Sequence, residues 1–144
     1  MHVSFDAVRA DATLGLSAVP SIYADPLKAY FFGEPTDFAT VPLDLRGTDF
    51  QLSVWNALAR IPYGAVRSYG AIANGIGSPR AMRAVGAASG ANPIPVIIPC
   101  HRVIEASMRL GGFSAGLARK RKLLALEGVH IDRDIVHPGQ LSLI

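Results

Sequence analysis

Apolar residues recur with a helical period in the middle of the chain. Four of them fall on one helical face: Phe50, Val54, Leu58 and Ile61. The preceding Thr48-Asp-Phe-Gln51 has the spacing of a capping box, in which the two end residues bond to each other's backbone. The pattern therefore predicts a helix that begins after Thr48 and ends before Pro62-Tyr-Gly64.

Two shorter helices with a tight turn between them follow this one. Ser68 is placed to cap the first, over residues 69–76, and Gly77 ends it. Ser78-Pro79 predicts the start of the second, with serine as N-cap, and this helix runs to about Ser89. Helix, tight turn and helix together are the layout of a helix-turn-helix.

The second helix of this motif has two different faces. Met82, Val85, Gly86 and Ser89 share one face, and Met82 and Val85 are predicted to point into the core. The other face combines arginines with small residues: Arg80, Arg83, Ala84 and Ala87. Small residues beside arginines let a backbone approach a nucleic-acid groove, but they equally let two helices pack closely with the arginines in solvent.

The two ends of the chain carry weaker patterns. Residues 3–8 and 13–19 predict strands, and Asp25-Pro26 predicts the start of a short helix that ends near Gly33. Residues 41–45 are predicted to be extended. Near the other end, leucines line a helix over residues 116–127, closed by Gly128, and a loose tail begins at residue 137. The outer face of that helix carries Arg119-Lys-Arg-Lys122.

Together these elements predict an α+β protein in two parts. Residues 1–46 form a small N-terminal α/β lobe that contains the predicted strands, and Arg46-Gly47 is the linker. Residues 47–144 form a mainly helical, winged-helix-like domain around the helix-turn-helix.

Composition excludes several classes of protein. Half of the residues are hydrophobic and the mean hydropathy is +0.30, which excludes a disordered chain. No apolar stretch reaches the roughly 18 residues of a membrane span, and no signal peptide is visible. Cys100 is the single cysteine, which excludes an internal disulfide and a multi-cysteine zinc site and predicts a reducing, cytoplasmic location.

Charge is distributed unevenly along the chain. Residues 1–50 contain three basic and seven acidic side chains, a net charge of −4. Residues 51–144 contain eleven basic and four acidic side chains, a net charge of +7. The basic part predicts a polyanionic partner such as nucleic acid, although a solvated basic surface explains the charge equally well.

The candidate chemistry lies in Pro99-Cys-His-Arg-Val103. A lone thiol beside an imidazole predicts a cysteine nucleophile with His101 as base and a carboxylate to orient the base. Neighbours in an extended segment point to opposite sides, so either the chain turns sharply here or a water links Cys100 to His101. Glu127 is the best candidate carboxylate, although sequence alone favours an exposed acid at that helix end.

A series of motifs then follows in a specific order along residues 48–128: Phe50-Gln51, Val54-Trp55, Ile61-Pro-Tyr-Gly64, Ser68-Tyr69, Arg83-Ala-Val-Gly86, Asn92-Pro-Ile-Pro, Pro99-Cys-His-Arg-Val103 and Leu123-Leu-Ala-Leu-Glu-Gly128. This series resembles the O(6)-alkylguanine-DNA alkyltransferases, also called methylated-DNA–protein-cysteine methyltransferases.

The resemblance implies a DNA repair protein that transfers an alkyl group from O6 of guanine to Cys100 and is spent after one turnover. His101 would act as base through a water, and Glu127 would orient it. Asn92 would be the hinge residue that ties the helix-turn-helix to the active-site segment. Tyr69 would donate a proton or a hydrogen bond to the departing guanine.

The resemblance also implies a base pocket and a DNA-binding face. Backbone groups of Cys100 and Val103, with Ser114, would read the base edge in a pocket walled by Phe113 and Ala115. The helix-turn-helix would enter the minor groove and rotate the damaged nucleotide out of the stack, with an arginine filling its place. The residues expected at the DNA surface are Arg83, which fills the stack, and Arg80, Ala84, Ala87 and Ser68.

The partner implied is double-stranded DNA that contains O6-alkylguanine, with O4-alkylthymine as a further candidate substrate. Repair at any sequence depends on phosphate contacts more than on base reading, and the basic part of the chain would supply them. We expect a monomer that needs no cofactor, no metal and no membrane.

Some positions depart from the family pattern. Phe113 stands where tyrosine is usual and Ala115 where glycine is usual, so tolerance of bulky alkyl groups is expected to differ. Met108 stands where a turn usually has glycine, and it would be strained if that turn requires a positive φ. The N-terminal lobe is also short for the family.

Three other functions compete with alkyl transfer. A thiol hydrolase could use Cys100, His101 and Glu127 as a triad, but it leaves the helix-turn-helix and the basic part unexplained. A damage-binding module without repair activity is a second alternative, and its relatives usually have tryptophan in place of the cysteine. A transcription regulator is the weakest, because no dimerisation segment is evident.

Overall fold

A computed structural model describes residues 19–137. Its α-helices are α1 (Ser21–Phe31), α2 (Asp49–Ala59), α3 (Tyr69–Gly75), α4 (Met82–Gly90) and α5 (Leu117–Leu126). Strand β1 (Arg67–Ser68) pairs in parallel with β2 (Val103–Ile104), and β3 (His130–Asp132) pairs antiparallel with β4 (Ile135–His137). A single 3-10 turn, Cys100–Arg102, precedes β2. Helices with small sheets make this an α+β fold, as predicted.

Helix α2 begins where its sequence pattern predicted. Thr48 Oγ accepts from Gln51 N at 3.1 Å, and Gln51 Oε1 accepts from Thr48 N at 3.0 Å, which completes the capping box. Val54 and Leu58 are fully buried, and Phe50 is half-buried. The indole of Trp55 donates to Ala88 O at 2.9 Å and so joins α2 to α4.

The segment predicted as a linker contacts α2 closely. A Cβ on Gly47 would come within 2.8 Å of the Trp55 ring and of Gln51 Oε1, so only glycine fits there without a shift of its neighbours. The residues before it share one hydrophobic cluster with the helices after it: Ala24, Leu27, Tyr30 and Val41 pack with Val54, Trp55 and Leu58. The division into parts at residue 46 remains a prediction.

Helix α1 starts earlier than predicted. It begins at Ser21 with Pro20 as N-cap, so Asp25-Pro26 lies inside the helix rather than at its start. Pro26 has no N–H to donate to the preceding turn, which costs the helix one hydrogen bond. Burial of Ala24, Leu27 and Tyr30 along one face of α1 offsets that cost, since tertiary packing contributes most of the stability of a short helix.

The helix-turn-helix is present with one shifted boundary. Ser68 Oγ accepts from Ala71 N at 3.0 Å and caps α3, as predicted. Ser78-Pro79 lies in the turn, where Ala81 N bonds to Ser78 O, so α4 starts at Met82 instead. This puts Met82 in the first turn of α4 with 52% of its surface exposed, and the predicted core-facing role of Met82 is wrong.

The C-terminal region also differs from the prediction. Lys120 was assigned to the outer face of α5, yet its side chain is fully buried because its ammonium bonds to backbone carbonyls inside the fold. The β3–β4 hairpin was not predicted. Residues 41–45 form no strand, and the strand over residues 3–8, most of that over 13–19 and the tail after 137 lie outside the described residues. None of the helices that the structure describes is long and apolar enough to cross a membrane.

Candidate active site

A buried apolar run delivers Cys100 to a fixed position. Ile94, Val96, Ile97 and Ile98 are all at least 97% buried. Val96 has a φ of 77°, a conformation that is costly for a β-branched residue and persists only where packing enforces it. The chain then turns at the 3-10 helix, and Cys100 N donates to Ile98 O at 2.8 Å. The chain therefore turns sharply here, yet His101 Nδ1 has no hydrogen-bond partner among the described residues, so the turn does not bring the imidazole into direct contact with the thiol.

Asn92 joins the end of α4 to this segment. Its Nδ2 donates to Ile98 O at 2.8 Å, and its Oδ1 accepts from Ile94 N at 3.0 Å. Both bonds are buried and span the run that leads to Cys100. The geometry is that of a clamp between the helix-turn-helix and the thiol.

Next to Cys100, His101 and Glu127 form a buried pair. His101 Nε2 lies 2.5 Å from Glu127 Oε2, and both side chains are inaccessible to solvent. Sequence alone favoured an exposed side chain for Glu127, and that prediction is wrong, because Glu127 follows α5 directly and points inward. The two residues are 26 positions apart in sequence, and the fold brings their buried side chains together.

Arg102 compensates the buried charge of Glu127. Its Nε donates to Glu127 Oε1 at 2.8 Å, and its Nη1 donates to Ile61 O at 2.6 Å. Gly64 N adds a further bond to Oε1 at 2.9 Å. Burial tends to raise the pKa of Glu127, but the hydrogen bonds and charges of His101 and Arg102 outweigh it and lower that pKa to about 2.

His101 is held neutral with one nitrogen unused. Burial lowers its pKa, and the hydrogen bond and negative charge of Glu127 oppose this only in part. Because Nε2 faces the carboxylate, the neutral ring carries its proton there. Nδ1 is buried and has no hydrogen-bond partner among the described residues. A buried ring nitrogen with a free lone pair next in sequence to a thiol is suited to act as a base through a water.

The thiol of Cys100 is protected at rest. Burial raises its pKa, while the hydrogen bond from Asn92 and the positive charge of Lys120 lower it. Cys100 is 4% exposed. The sulfur is therefore a thiol until a base takes its proton, which keeps it from indiscriminate reaction.

A cavity of 380 Å³ opens onto Cys100. Its lining residues come from α3, from the C-terminal half of α4, from the 3-10 turn and from the loop before α5: Tyr69, Gly86, Ser89, Gly90, Cys100, Gly112, Phe113 and Ser114. This volume lies within the usual range of small-ligand pockets. Val103 and Ala115, both predicted at the pocket, are not among its lining residues; Val103 is fully buried behind it.

Tyr69 stands at the side of this cavity with a neutral hydroxyl. Burial raises its pKa, and the negative charges of the Cys100 thiolate, once it forms, and of Glu105 raise it further. Its hydroxyl donates to Gly112 O at 3.3 Å. Gly111 has a φ of 71°, and a Cβ there would lie 3.2 Å from the Tyr69 ring, so the loop needs glycine at this point.

Lys120 holds the same loop from behind. Its ammonium donates to Val103 O at 2.6 Å, to Gly112 O at 3.1 Å and to Leu110 O. It also lies 6.0 Å from the centre of the Tyr69 ring. Burial lowers the pKa of Lys120 to about 8. The ammonium therefore joins the strand after Cys100 to the wall of the cavity.

The residues predicted to meet DNA lie on an accessible face. Arg83, Ala84 and Ala87 are exposed on α4, and Arg80 is exposed in the turn before it. Ser68 is half-buried, and its hydroxyl is engaged as the cap of α3. Gly86, Ser89 and Gly90 of the same helix border the cavity, so the exposed face of α4 adjoins the cavity that opens onto the thiol.

Three functional side chains were missed by the sequence reasoning. Arg102 lies inside the cysteine motif, and its charge beside a buried histidine was the available signal. Lys120 was concealed by the basic run around it. Tyr30 comes from α1, and its hydroxyl donates to Glu127 Oε2 at 2.6 Å; no local pattern indicates a contact across 97 positions.

Comparison with known proteins decides the family. The family model described as "6-O-methylguanine DNA methyltransferase, DNA binding domain" matches residues 49–129. The chain belongs to this family. A methylated-DNA–protein-cysteine methyltransferase of Mycobacterium tuberculosis is 60% identical over 111 residues, which are 77% of this chain and 67% of that protein. The resemblance drawn from the cysteine motif is confirmed, and the predicted activity is the one that this relative's name states.

Solved structures of the O6-methylguanine methyltransferase family share the fold. The crystal structure of M. tuberculosis OGT in complex with DNA matches with a TM-score of 0.72 and 62% identity, over 74% of this chain and 66% of that one. S. pombe Atl1, in complex with damaged DNA containing O6-carboxymethylguanine, matches with a TM-score of 0.55 and 37% identity, over 61% and 83% of the chains. The present chain thus spans about two thirds of the length of its M. tuberculosis relatives.

Proposed function

We propose that this protein repairs DNA by moving an alkyl group from O6 of guanine to Cys100, irreversibly and once per molecule. One observation carries the proposal. The only cysteine lies at the wall of a 380 Å³ cavity, clamped by Asn92 and followed by a buried histidine–glutamate pair. A thiol held this way can receive a group from a small planar ligand that enters the cavity.

The chemical step uses the groups around the sulfur. His101 Nδ1 takes the thiol proton through a water, while Glu127 stabilises the resulting imidazolium. The sulfur attacks the alkyl carbon, the bond between that carbon and O6 breaks, and a thioether forms on Cys100. The electron pair of the broken bond leaves with guanine, and Tyr69 supplies the proton or hydrogen bond that stabilises it. Ser114 and the backbone of Cys100, which line the cavity, read the base edge, whereas Val103 lies outside the lining and its carbonyl bonds to Lys120.

Substrate access requires the target nucleotide to leave the duplex. The exposed face of α4 enters the minor groove, because Ala84 and Ala87 allow close approach of its backbone. Arg83 fills the vacated stack, and the flipped base passes to the adjoining cavity, which Gly86, Ser89 and Gly90 of α4 border. Exposed cations such as Arg80 contact phosphates; Arg102 and Lys120, which are buried, add nothing to that surface.

The partner in this proposal is double-stranded DNA that carries O6-alkylguanine, and O4-alkylthymine is a second candidate substrate. The protein acts as a monomer in the cytoplasm, where reducing conditions keep an acceptor thiol free. The loop with Phe113 and Ala115 sets which alkyl groups are accepted.

The test is the intact mass of the protein after incubation with a duplex that contains one O6-methylguanine. We expect a gain of one methyl group, located on the Cys100 peptide and limited to one per molecule. The matched control is Cys100→Ala, which should gain no methyl group. It should bind the duplex with nearly unchanged affinity, because the sulfur takes part in the transfer and not in DNA binding.

Two other outcomes would overturn the proposal. Tight binding of the methylated duplex without any mass gain would favour the damage-binding alternative, to which the similarity with Atl1 also points. Repeated turnover of small thiol-reactive esters that needs Cys100, without DNA binding, would favour the hydrolase.

A further inference from the structure

Tyr30 connects α1 to the buried pair of His101 and Glu127, which we call the relay behind the thiol. Its side chain is completely buried, and its hydroxyl donates to Glu127 Oε2 at 2.6 Å. The same hydroxyl oxygen lies 3.3 Å from His101 Nε2. One phenol therefore contacts both members of the histidine–glutamate pair, from a helix that lies outside the residues matched by the family model.

Packing leaves the Tyr30 ring little freedom to move. Its centroid lies 5.3 Å from that of Phe31, 5.9 Å from those of Phe38 and Tyr63, and 6.4 Å from the His101 ring. Edge-to-face packing on several sides holds the phenol in one orientation. Burial and the negative charge of Glu127 raise the pKa of Tyr30, so its hydroxyl remains a proton donor.

The bonds to Glu127 explain what this donor does. Oε1 accepts from Gly64 N and Arg102 Nε, while Oε2 accepts from Tyr30, from His101 and, at 3.2 Å, from Arg102 Nη2. Tyr30 thus competes with the imidazole for one carboxylate oxygen. A competing donor weakens the pull of Glu127 on the His101 proton and also fixes the direction from which Oε2 meets the ring.

We propose that Tyr30 is a positioning residue of the alkyl-transfer reaction, which fixes the direction from which Glu127 meets the His101 ring and limits the pull of Glu127 on the Nε2 proton, so that Nδ1 remains available to the thiol. The proposal rests on the proposed function above. It makes α1 part of the catalytic apparatus, so residues 49–129 alone lack a component of the relay.

The test compares Tyr30→Phe with Tyr63→Phe. Tyr63 belongs to the same aromatic cluster, but its hydroxyl donates to Leu126 O at 3.1 Å rather than to Glu127. Both variants keep the ring and lose one hydroxyl. We expect Tyr30→Phe to slow single-turnover methyl transfer about tenfold, the scale of one hydrogen bond to a charged group, with unchanged DNA affinity. Tyr63→Phe should transfer at the normal rate.

The pH–rate profile separates positioning from a structural defect. Without the Tyr30 donor, Glu127 attracts the imidazole proton more strongly, while Arg102 and Lys120, the other charges near His101, are unchanged. The acid limb of the profile should therefore move to higher pH in Tyr30→Phe alone. Wild-type rate and profile in Tyr30→Phe, or equal losses in both variants with equal drops in Tm, would overturn the proposal.

A spectroscopic readout keeps this test independent of the proposed function. Nitrogen NMR shifts report the tautomer and protonation of His101, with His101→Gln to assign the signal. We expect a protonated Nε2 in the wild-type protein and a higher pKa of His101 in Tyr30→Phe. An unchanged His101 signal in Tyr30→Phe would refute the positioning role. Absent methyl transfer by the wild-type protein would instead refute the proposed function.

Discussion

The relay behind Cys100 and the loop in front of it are built in opposite ways. His101 and Glu127 have inaccessible side chains, and both carboxylate oxygens accept two or more bonds. The loop from Gly111 to Gly116 is exposed or half-buried throughout. Side-chain bonds to its backbone come from Tyr69 and Lys120. Chemistry is thus fixed by side chains locked in the core, whereas the cavity wall can change its shape at lower cost.

Removing the negative charge of Glu127 should lower both the stability of the protein and the rate of methyl transfer. Glu127→Gln leaves the Arg102 guanidinium buried without its carboxylate, so we expect a loss of about 3–5 kcal/mol in the free energy of unfolding. Methyl transfer should fall at least a hundredfold, since His101 loses its orienting anion. Urea denaturation and single-turnover rates measure the two effects. The control is Asp134→Asn, which breaks a half-exposed pair with Arg121 and should cost less than about 1 kcal/mol.

Glu127→Gln should also change how the free energy of unfolding depends on pH. Because the pKa of Glu127 is lowered from its usual 4.5 to about 2, its contribution to stability is complete above pH 4.5 and is lost as the pH falls toward 2. Wild-type stability should therefore decline with acid over this range, and Glu127→Gln should flatten that part of the curve. Parallel curves for the two proteins would mean that Glu127 is not the charged partner.

Loss of the buried Lys120 ammonium should destabilise the loop that it holds. Lys120→Met leaves three carbonyl oxygens without their donor, so we expect a loss of roughly 2–3 kcal/mol in the free energy of unfolding. The pKa of Cys100 should rise, because the positive charge of Lys120 lowers it in the wild-type protein. Ultraviolet absorbance of the thiolate measures that pKa. Lys122→Met is the control on the exposed side of the same helix, and equal effects in both variants would contradict the assignment.

Sequence reasoning succeeded where the determinants are local and failed where they are distant. The capping box at Thr48 and the cap at Ser68 depend on neighbours within four positions, and both are confirmed. Glu127 and Lys120 look like surface residues of a helix end because their partners lie far away in sequence. Tyr30 was not recognised for the same reason. The site residues given by the cysteine motif came with a resemblance, which local pattern alone would not have supplied.

Met108, in the turn before the loop from Gly111 to Gly116, and Val96, in the core, both have a positive φ that is costly for a residue other than glycine. Met108 has a φ of 72°, so its turn does require the positive φ that the sequence left as a condition, but Met108 is half-buried, unlike Val96. Met108→Asn and Met108→Ala both remove the side chain's packing, yet asparagine tolerates this conformation better than alanine. We expect the asparagine variant to be more stable by roughly 0.5–1 kcal/mol, measured by urea denaturation. Equal stabilities would show that the turn relaxes to negative φ in the variants, so that this turn, unlike the segment at Val96, does not retain its strain.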